Sequence, residues 1–234
     1  MDATFCLADN PPDTAIKEYA TMPDEQALSA KQQAIAPLAA FAATGDMARL
    51  ENALNQGLDA GLSVSEIKEI LVQLYAYAGF PRSLNALGQL MKVIDTRRER
   101  GIHDVPGRDP GRDIPTGEAL LAAGTANQTK LAGAPVKGPL FDFAPAIDQY
   151  LKTHLFGDIF ERDNLDWQSR ELATVGALAA LSGVEPQLQA HIGISLNVGL
   201  SVAQLRQVAR RLDEQGDATA ALRVQAALDK QAQR

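Results

Sequence analysis

Glu171 and His191 are the residues whose types and setting best suit proton transfer. Glu171 opens a helical run beside Leu172 and Val175. His191 lies among Leu188, Ile192 and Leu196 on the apolar face of the next run. Their separation fits two helices joined by a short turn. A carboxyl in apolar surroundings is desolvated, which raises its pKa, whereas a nearby imidazolium lowers it and has its own pKa raised. Such a pair can hold the histidine in one tautomer and serve general acid–base chemistry. A plainer reading stands beside this one. A histidine on an apolar face also serves as a core residue bonded to a carbonyl. A glutamate in a first helical turn also serves the helix dipole, or an arginine such as Arg170.

Other candidates are more dispersed. His154 falls in Lys152-Thr153-His154-Leu155-Phe156-Gly157, at an expected helix end where a cation complements the dipole. It is carried as a candidate substrate contact. Tyr75 shares an apolar helical face, and its hydroxyl could reach a pocket, although core packing suits it equally. His103 lies in a polar connection. Three scattered histidines and one cysteine, Cys6, suggest no metal site. No HExxH sequence, paired-carboxylate motif or glycine-rich phosphate loop occurs. Neither a cofactor nor a metal is expected.

The elements that must position these groups are read as helices nearly throughout. The chain has 234 residues, 46% hydrophobic and 5% aromatic, with a net charge of −7. That apolar content excludes a disordered chain. The negative sign argues against a nucleic-acid binder, which needs basic groups for the phosphates. No stretch reaches the roughly 20 apolar residues of a membrane span. The first residues lack a basic region followed by an apolar one, so a cytoplasmic setting is expected. A periplasmic setting is the alternative if Met1 merely begins a mature exported chain.

Helical periods mark Leu28 to Phe41, Leu50 to Leu58, Ile67 to Tyr75 and Leu84 to Ile94. Further runs cover about Thr116 to Leu131, Ala144 to Phe156, Leu172 to Leu181, Leu188 to Leu196, and Asp217 to the end. Ser29, Ser63 and Ser201 each precede Glu or Gln by three residues, as in a capping box. The stretch Gly61-Leu62-Ser63-Val64 recurs as Gly199-Leu200-Ser201-Val202, and Ile35 to Ala43 matches Leu172 to Ala180 in pattern. This predicts two copies of a three-helix unit that must pack together or oligomerise to bury their apolar faces. The expected division is an extension at 1–24, a first repeat at 25–100, a linker at 101–140 rich in Gly and Pro, and a second repeat at 141–234. In the first copy the positions matching Glu171 and His191 are Ala34 and about Ala53.

The segment Arg170-Glu171-Leu172-Ala173-Thr174, then Gln187-Leu188-Gln189-Ala190-His191-Ile192, then Asn197-Val198-Gly199-Leu200-Ser201 resembles the core motif of the carboxymuconolactone decarboxylase family. The first copy resembles that family's tail, with Glu66 to Leu71, then Gln73-Leu74-Tyr75-Ala76-Tyr77-Ala78-Gly79-Phe80-Pro81 and Asn85-Ala86. The resemblance implies an all-α bundle shared with the alkylhydroperoxidase AhpD, here in two tandem copies. It also implies ring-shaped homo-oligomers, most simply a trimer of tandem chains, and a small-molecule substrate. The family's peroxidase branch uses a C-x-x-C pair between the glutamate and the histidine. That window here reads Gly183-Val184-Glu185-Pro186-Gln187, without sulfur, so a two-thiol cycle has no residues to run on. The decarboxylase branch keeps Glu and His alone. By that likeness His191 would deliver the proton after CO2 leaves a carboxylated lactone, Glu171 would orient it, and Arg170 would help hold the carboxylate. The alternatives are a thiol-independent oxidoreductase or detoxifying enzyme, and a non-catalytic oligomeric binding protein. The second copy lacks the Tyr-Ala-Gly-Phe-Pro tail, so pair and tail can meet only if the copies pack on one another.

Overall fold

The computed structural model describes residues 27–233; the expected extension at 1–24, with Cys6, lies outside them. All regular structure among the described residues is helical. The helices are α1 (Ala30–Thr44), α2 (Met47–Asp59), α3 (Val64–Ala78), α4 (Phe80–Glu99), α5 (Gly117–Ala132), α6 (Pro139–Phe143), α7 (Pro145–Tyr150), α8 (Trp167–Ala180), α9 (Glu185–Asn197), α10 (Val202–Glu214) and α11 (Ala218–Ala232). A π-helical segment, Leu151–Ile159, continues α7. Among the described residues no helix is long and apolar enough to cross a membrane.

Local chemistry sets where these helices begin. Ser29, Ser63 and Ser201 form capping boxes with Gln32, Glu66 and Gln204. Asp46, Asp166 and Asp217 cap α2, α8 and α11 by accepting a backbone N–H three residues on. Each such cap is worth about 1 kcal/mol relative to alanine. Between α3 and α4, Gly79 sits at φ 82°, a conformation that side chains other than glycine's resist. It turns the chain sharply just after Tyr77.

The repeat is a four-helix unit rather than the three-helix unit expected. α1 to α4 recur in order as α8 to α11, with near-constant spacing along the chain. The final pair, α4 and α11, escaped the sequence comparison because their residues differ while their placement agrees. The most extensive helix contact joins α1 to α8, and α3 packs on α8 as α10 packs on α1. The two copies thus share one core, from Ile35, Leu38 and Phe41 through Leu172, Val175 and Leu178. Small residues let the central helices approach. A Cβ on Gly176 would stand 2.7 Å from the Ala36 Cα, nearer than any side chain tolerates.

The helix expected over about Ala144 to Phe156 is present as α7 continued by the π segment, and the short α6 precedes it across a break at Ala144. Pro139 and Pro145 each begin a short helix, because proline lacks an N–H and forces the residue before it out of the helical region; Ala144 accordingly has φ −130° and ψ 73°. The backbone then widens into the π segment. α5, within the stretch expected as a linker, packs extensively on that segment. Glycines bring the two close: a Cβ on Gly157 would stand 2.8 Å from Leu120 Cδ1. α5 and the π segment, with Phe160 and Ile194, form a second apolar cluster against which Tyr75, Tyr77, Trp167 and Val198 pack.

Candidate active site

Glu171 lies in the first turns of α8 and His191 midway along α9, and the antiparallel packing of these helices brings them face to face. His191 Nδ1 and Glu171 Oε2 are 2.7 Å apart. The Glu171 side chain is fully buried and that of His191 is 9% exposed. At this distance Oε2 and Nδ1 share a hydrogen bond that fixes the ring and leaves Nε2 as the histidine atom free for chemistry. The second carboxylate oxygen, Oε1, is buried without a partner.

A third group comes from the other copy. Tyr77, near the end of α3, sets its ring edge-on to His191, with centroids 5.6 Å apart and planes at 81°. Its ring is half-buried, and its hydroxyl is buried beside Thr174 without closing a hydrogen bond. Burial and the charge of Glu171 push its pKa well up, while Thr174 and Arg170 oppose the shift. The phenol therefore stays protonated and is a neutral donor. Ser195, one turn beyond His191 on α9, is also fully buried with an unpartnered hydroxyl.

Behind this face lies a buried ion-pair network. Glu69 on α3 accepts from Arg162 at 2.7 and 3.0 Å, from Asn164 at 3.0 Å and from Arg170 at 3.1 Å. Gln73 Nε2 donates to the Arg170 carbonyl and to Thr174 Oγ1, and Gln73 Oε1 accepts from Arg170. α8 is thereby locked to α3 one residue away from Glu171. Burial opposes a charge on Glu69, but the hydrogen bonds and the arginine charges outweigh it and hold its pKa below the usual range.

The structure joins Glu171 and His191 and engages the remaining candidates in other contacts. Arg170 is completely buried, and both of its terminal nitrogens are engaged by Glu69, Gln73 and the Arg162 carbonyl. Only Nε is unpartnered, so no guanidinium fork is left for a carboxylate. His154 lies inside the π segment rather than at a helix end, where it pairs with Asp158 at 2.6 Å on the surface. It also packs against Tyr75, which stacks on Phe80 with centroids 4.4 Å apart. These contacts place Tyr75 and His154 with each other, while the tyrosine on the histidine of the pair is Tyr77. The sequence carried a usable sign of this. Tyr77 follows Ile70 by seven residues and Leu74 by three, on the apolar face of α3. Nothing comparable pointed to Glu69, whose partners come from distant positions.

One turn before Glu171, Trp167 lines a cavity of about 410 Å³ together with Lys130, Asp166, Gln168, Asn197 and Val198. The Lys130 ammonium lies 4.9 Å from the Trp167 ring centroid. Among the described residues no cluster of three or more His, Cys, Asp or Glu could hold a metal ion.

Among the described residues, fold and site define an all-helical tandem repeat with one buried Glu–His pair, against which a tyrosine of the opposite copy packs. The model of the carboxymuconolactone decarboxylase family matches residues 14–91 and 145–230, and the chain belongs to that family. Among curated proteins, none matches the chain.

Proposed function

We propose that the protein is a carboxy-lyase acting on a small carboxylated lactone, with His191 as proton carrier and Glu171 as its orienting partner. The observation that carries this reading is the 2.7 Å contact between His191 Nδ1 and Glu171 Oε2 inside an apolar interior. Loss of CO2 breaks the bond between the ring carbon and the carboxylate carbon. The electron pair left behind delocalises onto the lactone carbonyl as an enolate. His191, protonated and steadied by Glu171, gives its Nε2 proton to the ring carbon and regains one from solvent. A low-dielectric site strengthens both steps. With Cys6 the only cysteine of the sequence, two-thiol peroxide reduction lacks its second sulfur.

Release of CO2 from carboxymuconolactone, beside a hydroperoxide control, tests the reading. His191→Ala is expected to abolish turnover while the protein keeps its helical circular dichroism and its assembly state. A wild-type protein that releases no CO2 from carboxylated lactones overturns the assignment. We also propose that tandem chains assemble as a homotrimer. Phe80, Leu84 and Met91 support this, since they leave an apolar stripe on α4 more than half exposed.

A further inference from the structure

We propose that Tyr77 is the oxygen-binding residue of the site: its phenolic O–H, brought by the first copy to the histidine of the second, donates a hydrogen bond to a carbonyl or enolate oxygen of the substrate. This rests on the reading of the pair as a proton-transfer site. Three observations support it. The ring of Tyr77 meets His191 edge-on, and its hydroxyl feels the charge of Glu171. That hydroxyl is buried and closes no hydrogen bond, with Thr174 the side-chain oxygen beside it, and an unpaired buried hydroxyl costs stability. Thr174, the neighbouring hydroxyl, already donates to the Arg170 carbonyl and accepts from Gln73.

The surrounding groups narrow the ligand class. Glu171 Oε1 and, one turn beyond His191 on α9, Ser195 Oγ are likewise buried without partners. The nearest guanidinium, that of Arg170, is already bound to Glu69. Tyr77 packs instead on the apolar cluster of Leu131, Phe156, Phe160 and Ile194. Such a site suits a compact, largely apolar ring that bears a carbonyl oxygen. A phenol that stays protonated beside Glu171 is a donor at any working pH, and its bond strengthens as charge gathers on the carbonyl oxygen. The position matching Tyr77 in the second copy is Gln215, at the end of α10, and it faces a half that has Ala34 and Ala53. The three groups are therefore present together on one side of the tandem alone.

The test uses the full chain carrying a carbon-13 label at tyrosine Cζ, with the Tyr77 resonance assigned by Tyr77→Phe. Butenolide, a neutral unsaturated lactone, is the probe, and acetate is the control for carboxylate binding. Butenolide is expected to shift the Tyr77 resonance and acetate to leave it in place. If butenolide moves the His191 ring resonances but not Tyr77, or if acetate alone moves Tyr77, the proposal fails whatever the enzyme turns over. In the decarboxylation assay Tyr77→Phe is expected to lower kcat on the order of 100-fold, with KM changed much less. An unchanged kcat in a variant with the wild-type melting temperature also overturns the proposal. The outcomes separate the two readings. A wild-type protein inactive on carboxylated lactones removes the proposed reaction, while the resonance shifts still judge Tyr77.

Discussion

Glu171 has one oxygen on His191 and the other on nothing, and both are buried. Replacing it by glutamine keeps the shape, but removes the charge and leaves an amide N–H₂ with no acceptor. Glu171→Gln is therefore expected to lower stability by about 1–3 kcal/mol in urea unfolding. Turnover should fall as well, because His191 loses the negative charge that supports its imidazolium form. Unchanged turnover in this variant would take the glutamate out of the mechanism. The pair was visible in the sequence as two polar residues on apolar faces. Their hydrogen bond was not, since spacing alone does not choose between facing each other and facing separate carbonyls. Tyr75 and Tyr77 show the same limit. Two residues apart on one helix, they face different neighbours, and only the packing of α3 on the second copy selects Tyr77.

Helix α8 is held to α3 by charge as well as by apolar packing. Glu69 is 1% exposed and joins Arg162, Asn164 and Arg170. Removing its charge leaves a fully buried arginine without its carboxylate. Glu69→Gln is expected to cost about 3–5 kcal/mol in thermal or chemical unfolding. The pH dependence has a definite sign. The folded-state pKa of Glu69 lies below the ordinary 4.5, so its contribution is complete above that value and is lost as pH falls through the lowered one. The wild type should thus lose stability more steeply below pH 4.5 than Glu69→Gln does. Parallel acid-unfolding curves for the two proteins would show that the network contributes nothing. Helix starts, in contrast, were legible because capping boxes are local: Ser29, Ser63 and Ser201 act within three residues. The break at Ala144 is equally local, set by Pro145, whereas the π segment was not legible, because α5 is what packs against that stretch.

At the scale of the molecule, two four-helix units share one core, and the Glu–His pair lies in only one of them. Apolar side chains remain on the surface. Phe80, Leu84 and Met91 lie along α4, and Leu140, Phe143 and Tyr150 on α6 and α7, each more than half exposed. Contiguous exposed apolar area of this kind marks a contact surface. Sedimentation velocity at micromolar concentration is expected to show a trimer, and Leu84→Glu with Met91→Glu to weaken it. A stable wild-type monomer would count against the assembly. The sequence by itself determined the helical class, the caps, the tandem repetition, the identity of Glu171 and His191, and the lack of a second thiol. Those follow from local periodicity and residue type. Only the tertiary structure decided that Arg170 is a buried tie, that His154 pairs at the surface, and that Tyr77 meets the histidine. Each of those outcomes depends on which faces of distant helices pack together, and close packing settles that for the whole core at once.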